Sequence, residues 1–244
     1  MIGCIRDRRR IAIEHLLRSW KGQVNQIGRN RVKDAVEMAD KNRRILEKGF
    51  AIFAEKGIEN VKMTDVAKAA GIGIASLYRY YSTKPELVLA IGAWAWKEYF
   101  TEQIQKMQSE SHPTDSASER IAYYLDAFLD LYRNKKDLLR FNQFFNIFLL
   151  NAKIPEDKRS PYNNVIGILE ERFVRVFRQG QEEGTLRNDL SGVEAFSTMT
   201  HLMLAVVTRY AVGLVFFNKE TDEEKELQAQ KDMMLRWICT AEKE

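Results

Sequence analysis

The chain has 244 residues, 45% of them apolar and 30% charged, with a formal net charge of +4. That length supports a sizeable core in one or two folding units, and the composition excludes a disordered or fibrous class. No apolar run approaches the roughly 18 residues needed to cross a bilayer; the nearest is Phe144 to Leu150.

Charge is divided unevenly along the chain. Residues 1–33 carry nine Lys or Arg against two Asp or Glu, residues 34–84 nine against seven, and residues 85–244 twenty against twenty-five. A basic front on an acidic body would draw the first part, not the second, toward phosphates. The Arg-rich start is not followed by a clean apolar stretch, so no secretory leader is expected. Cys4 and Cys239 are the only cysteines and lack metal or redox spacing, which fits a reducing, cytoplasmic setting.

Residues 1–37 read as a basic N-terminal extension. Arg6, Arg8, Arg9, Arg10, Arg18, Lys21, Arg29, Arg31 and Lys33 interleave with Ile11, Ile13, Leu16, Leu17 and Trp20. Three readings stand side by side: an arm that adds phosphate contacts, a membrane-surface amphipath, or an extension without a role that precedes Met38.

Next, Ile45, Leu46, Gly49, Ile52 and Phe53 recur at the spacing of one helical stripe, and Gly57 supplies its stop. Met63, Val66, Ala67 and Ala70 predict a short second helix ending at Gly71, and a third covers about Ile74 to Tyr81. Two short helices about a glycine turn read as a helix-turn-helix, whose second helix enters the DNA major groove. Thr83-Lys84-Pro85-Glu86 predicts a capping box opening a long helix to about Met107.

The remainder is helical throughout. Ser111-His112-Pro113-Thr114 reads as a loop, Ser118 to Arg133 as an amphipathic helix, and Leu138 to Leu150 as an apolar helix closed before Pro155. Residues 162–183 predict another helix, and the last two span about Val193 to Phe217 and Asp222 to Thr240. The expected fold is all-α: a three-helix DNA-binding domain over residues 38–84, then a helical effector-binding and dimerisation domain over 85–244.

On a helical projection Ile74, Leu77 and Tyr81 cluster toward the core, while Ala75, Ser76 and Arg79 point outward. Arg79 suits bidentate contact with guanine, Ser76 can donate or accept, Ala75 can touch a thymine methyl, and Gly73 permits close approach of the backbone. Lys62, Thr64, Tyr78, Tyr80 and Lys84 suit phosphates, which fix register without reading sequence.

The ordered set Ile45-Leu46, Phe53, Gly57, Ala67-Lys68-Ala69-Ala70-Gly71-Ile72, Leu77-Tyr78-Arg79-Tyr80-Tyr81 and Lys84 resembles the DNA-binding domain of the tetracycline-repressor (TetR) family of bacterial transcription regulators. The resemblance covers about a fifth of the chain and is free of gaps. It implies a transcriptional regulator, expected to be a repressor, that binds a palindromic operator as a homodimer through its last two helices and is released by a small effector. It adds Ile74 to the groove-facing set and assigns phosphates to Tyr80 and Lys84. The departures are Gly49 for Ala, a helix weakened by about 1 kcal/mol, and Lys62 for a capping Ser or Thr, with Asn60 or Thr64 as substitutes. Gly73 and Ala75 also replace the usual Ser and Gly.

For the body, Leu227, Met234, Trp237 and Ile238 form an apolar stripe on the last helix, suited to an interface or to the subunit's own core. Trp94, Tyr124, Phe128, Phe144, Phe145, Phe148, Phe173 and Met203 are candidates to line an effector pocket, with His201 either an effector contact or a residue satisfied in the core or an interface. An apolar or aromatic effector, not a strongly anionic one, is expected. No cofactor or metal site and no catalytic motif is present in the sequence, so an enzyme is not expected. The alternative to a sensor is a DNA-bound adaptor whose body recruits a protein partner.

Overall fold

A computed structural model describes residues 29–110, 115–152, 154, 156–213 and 222–240. Among them the chain forms nine helices: α1 (Arg29–Lys56), α2 (Met63–Ala70), α3 (Ile74–Tyr80), α4 (Lys84–Glu110), α5 (Ala117–Asn134), α6 (Lys136–Asn151), α7 (Glu156–Glu182), α8 (Gly192–Val212) and α9 (Glu223–Ile238). No strand forms among these residues beyond an isolated bridge between Leu186 and Cys239. The segment before residue 29, the loop expected at Ser111–Thr114, Pro155 and the expected end of α8 at Phe217 lie outside the described residues.

The chain divides into two compact units, residues 1–45 and 46–244. Within the first, residues 35–44 of α1 are exposed or half-exposed. Lys41 Nζ lies 2.5 Å from Glu37 Oε1 across one turn there. The second contains everything from Leu46 onward.

In the second unit, the short helices are set by their ends. Gly57, at φ +79°, turns the chain out of α1 beneath the Phe144 ring. Lys62 cannot cap α2 with its side chain; the Asp65 carboxylate takes its amide instead, at 2.8 Å. Asn60 does not substitute as a cap, because its amide donates to the Lys56 carbonyl at the end of α1. Gly71, at φ +67°, closes α2, and Ile72 donates to the Ala67 carbonyl at 3.0 Å, the hydrogen bonding of a glycine-terminated helix. The box opening α4 forms with a shift: Thr83 Oγ1 accepts from the Glu86 amide at 3.3 Å, and Glu86 reaches back to the Ser82 amide at 2.9 Å.

Gly49 is not simply a weak point of α1. A Cβ there would stand 2.6 Å from Ile91 Cδ1, so the missing side chain lets α4 approach. Gly92 does the same farther along, where a Cβ would meet the Phe145 ring at 2.7 Å. Helix α6 carries Phe141, Phe145 and Phe148 on its buried face. Phe141 packs on Phe50 at a ring separation of 5.3 Å, and Phe145 on Tyr162 at 5.0 Å. The body core continues through Ile121, Leu125, Phe173, Phe177, Phe196 and Leu227.

The C-terminal helix is stitched back onto the chain. Arg187 and Thr240 donate their amides to the carbonyls of Ile238 and Thr185, at 3.0 and 3.1 Å. Of its apolar stripe, Leu227, Met234 and Ile238 are buried within the chain and Trp237 is half-buried. The three buried side chains complete the chain's own core, and α9 turns a polar face with Met233 to solvent.

Candidate functional site

The exposed end of the chain's helix-turn-helix is built on two buried anchors. Leu77 and Tyr81 on α3 and its C-cap are buried, as the projection requires, and they leave the opposite face of α3 open. On that face Ala75 and Arg79 are exposed and Ser76 is half-buried. Arg79 donates to Ser76 Oγ at 2.8 Å, so the two polar candidates form one unit one helical turn apart. Tyr78 is half exposed. Ile74 is 37% exposed and stands on the solvent side rather than in the core, where the projection put it. Tyr80 is half-buried.

Gly71 and Gly73 face open space where a Cβ would sit, so the backbone at the start of α3 is bare. Lys62 and Thr64 are exposed at the start of α2. Lys84 differs from these. Its ammonium contacts the Glu59 carbonyl at 3.4 Å, sits 5.8 Å from the Phe148 ring centre, and is held by partial burial below the usual lysine range. It bridges the turn after α1 and helix α6.

The body contains a cavity of about 90 Å³ walled by α4, α5, α7 and α8. Tyr124, Phe128 and Phe173 line it. The other aromatic candidates lie elsewhere: Trp94 packs against Phe50 at 6.2 Å, Phe145 is stacked between Phe141 and Tyr162, and Phe148 lies under Lys84. Met203 is fully buried outside the lining. His201 is exposed, with Nδ1 3.4 Å from Ser197 Oγ, and faces away from the cavity.

The α4 wall is Trp96, Tyr99, Phe100, Gln103, Ile104 and Met107, none of which the sequence reading selected. Helical spacing held the signal: these positions recur at three and four residues, whereas Trp94 lies two residues, about 200°, from Trp96. Polar groups in this wall are few. Gln103 donates to Asp130 at 2.7 Å, the Tyr99 hydroxyl donates to the Ala127 carbonyl, and Trp96 Nε1 is buried without a partner. Tyr162, beside the cavity, has its hydroxyl pushed up to about 12 by burial. Among the described residues no three His, Cys, Asp or Glu side chains are grouped as a metal site requires.

A small tri-helical head with an open third helix, carried on a helical body, defines a DNA-binding transcriptional regulator. Residues 45–91 match the sequence profile of the bacterial regulatory proteins of the tetR family, so the chain carries that family's DNA-binding segment. It is 25% identical over 199 residues to an uncharacterized HTH-type transcriptional regulator, YfiR, of Bacillus subtilis, covering 81% of this chain and 91% of the relative. Among solved structures, a transcriptional regulator of Saccharomonospora viridis in complex with choline superposes with a TM-score of 0.65 at 20% identity, over 83% of this chain and all of the other. The regulator FadR from Bacillus subtilis in complex with stearoyl-CoA gives 0.61 at 13% identity, over 80% and 98%. At such identities the structural likenesses speak for the fold. No described helix is long and apolar enough to cross a membrane.

Proposed function

We propose that the protein is a homodimeric repressor that binds a palindromic operator and releases it when a small apolar or aromatic molecule occupies the body cavity. The observation that carries this reading is helix α4. Only three residues separate it from the end of the recognition helix, and it runs on to form one wall of the cavity.

Base reading is assigned to Ser76 and Arg79, supported by Gly73, Ile74 and Ala75, and phosphate contact to Lys62, Thr64, Tyr78 and Tyr80. Lys84 serves first as a strut between the turn after α1 and α6. One short helix reads too few bases for a specific site, which is why a second copy is needed. Its docking face includes Leu202 and Val193, exposed on α8, with Met233 on α9.

Occupancy of the cavity acts as a population shift. A ligand that fits only when the aromatic wall of α4 is displaced favours a state in which the two recognition helices lose their spacing. Coupling on the order of 1–3 kcal/mol suffices to change occupancy several-fold. The structural relatives solved with choline and with stearoyl-CoA show that this fold accommodates organic ligands. A largely apolar cavity among the helices favours this reading over an adaptor with a solid body.

Selection of bound fragments from a random DNA pool tests the proposal directly. An inverted repeat is the expected result, and equal retention of all sequences would refute it. Recovered operator should then be displaced by any compound that quenches fluorescence from the Trp96 side of the cavity. A compound that binds there with no effect on operator affinity refutes the coupling.

A further inference from the structure

A second cavity, of about 140 Å³, adjoins the first and shares Ile104, Met107, Tyr124 and Leu169 with it. Its character is different. Its other walls are Gln108, Arg120, Tyr123, Arg172 and Val176, so two arginines and three further polar side chains stand among its apolar lining. Arg120 Nε is buried with no hydrogen-bond partner. Neither Arg120 nor Arg172 is paired with a carboxylate among the described residues. Arg175 belongs to the same group: the charges of Arg172, Arg175 and Arg120 all act on the half-buried Tyr124 hydroxyl at the junction.

Two acids near the start of α5 have other hydrogen-bond partners. Asp115 accepts from the Tyr123 hydroxyl at 3.4 Å, and Glu119 accepts from the Ser116 amide at 2.7 Å. A buried donor left unmade on a permanently charged side chain is costly, and structures retain such groups chiefly where something else meets them. The group that meets a fork of guanidinium donors best is a carboxylate or a comparable planar anion.

We infer that the effector is an amphipathic anion, with its apolar body in the aromatic cavity and its carboxylate or similar head on Arg120 and Arg172. Size agrees with this division. The aromatic cavity, at about 90 Å³, is smaller than the roughly 150 Å³ known to admit benzene, so a ring or short chain needs the adjoining space as well. The inference rests on the effector reading above and adds an anionic head to its apolar or aromatic ligand, against the sequence expectation of one that is not strongly anionic.

The test uses the full chain and two matched probe series: sodium alkanoates of six to fourteen carbons and the alcohols of the same length, each titrated calorimetrically below micelle formation. The expected result is that the best alkanoate binds at least about tenfold more tightly than its alcohol. Arg120→Gln and Arg172→Gln should each remove most of that preference, leaving alcohol affinity and thermal midpoint nearly unchanged. Leu204→Trp, which fills the apolar end without touching the arginines, should weaken both series together.

Alcohols binding as well as alkanoates would overturn the anionic head and leave the cavity reading intact. Arginine variants that weaken both series alike would overturn it in the same way. Alkanoate binding that survives Leu204→Trp would show anions held at the surface without the cavity and would also overturn it. Absence of binding by either series to the unaltered chain would remove the effector reading itself.

Discussion

At the level of single residues, the hydrogen bond from Arg79 to Ser76 holds the guanidinium over α3, and under the proposed base-reading role it is in place before DNA arrives. Such preorganisation lowers the entropic cost of reading a base. Arg79→Ala should weaken operator binding by about 1–3 kcal/mol and relax selectivity at one position of each half-site, without change in thermal stability; titration against operator variants measures both effects. Gly92 carries the opposite kind of constraint. Alanine there improves helix propensity by about 1 kcal/mol, yet its Cβ would enter the Phe145 ring space at 2.7 Å. Overpacking of this sort costs about 1–3 kcal/mol, so Gly92→Ala should be destabilising on balance in urea denaturation. Tyr162 gives a pH dependence. Its hydroxyl titrates near 12 in the folded chain, above the ordinary tyrosine value of 10, because burial opposes the phenolate. The contribution is therefore complete below pH 10 and is lost as pH rises toward 12, where the unfolded chain releases its proton first. Tyr162→Phe should flatten that part of the alkaline stability profile.

Among elements, the short helices owe their existence to end effects, and this is where the sequence was only partly legible. The glycine closing α2 and the box opening α4 could be read from residue types alone. The cap of α2 could not, because a lysine stands at the capping position and the compensating Asp65 works from inside the helix. Asp65→Ala should cost about 0.5–2 kcal/mol of stability, visible as a lower denaturation midpoint with an unchanged slope. The cavity shows the same limit. Aromatic content pointed to a pocket, but Phe145 and Phe148 stand on the same α6 face as Phe141 and are spent on packing against α4, Tyr162 and Lys84. The face that each helix turns inward depends on its neighbours, and a single chain of letters does not contain them. Arg120 and Arg172 escaped notice for that reason. They are 52 residues apart in sequence and meet only because α5 and α7 pack together.

For the whole molecule, the all-helical architecture and the DNA-binding head were legible from periodicity and from an ordered set of landmarks. The division of α9 between core and surface was not. The apolar stripe of α9 looks like an interface on a helical wheel, yet Leu227 and Ile238 are fully buried inside one subunit. Leu202 remains outside, 52% exposed on α8. Leu202→Arg should shift the protein from dimer to monomer in sedimentation and abolish operator binding while leaving helicity intact. An unchanged dimer would move the interface to another face. The distribution of the cavity wall has a further consequence for how such a regulator diverges. Its lining comes from α4, α5, α7 and α8, and the face proposed to read bases comes from α3 alone. Duplicated copies of the gene can thus drift toward new inducers by changing Leu169, Met107 or Leu204 while keeping one set of target promoters. The reverse is equally open: a copy can acquire new targets through Ala75 or Ser76 while answering the same chemical signal.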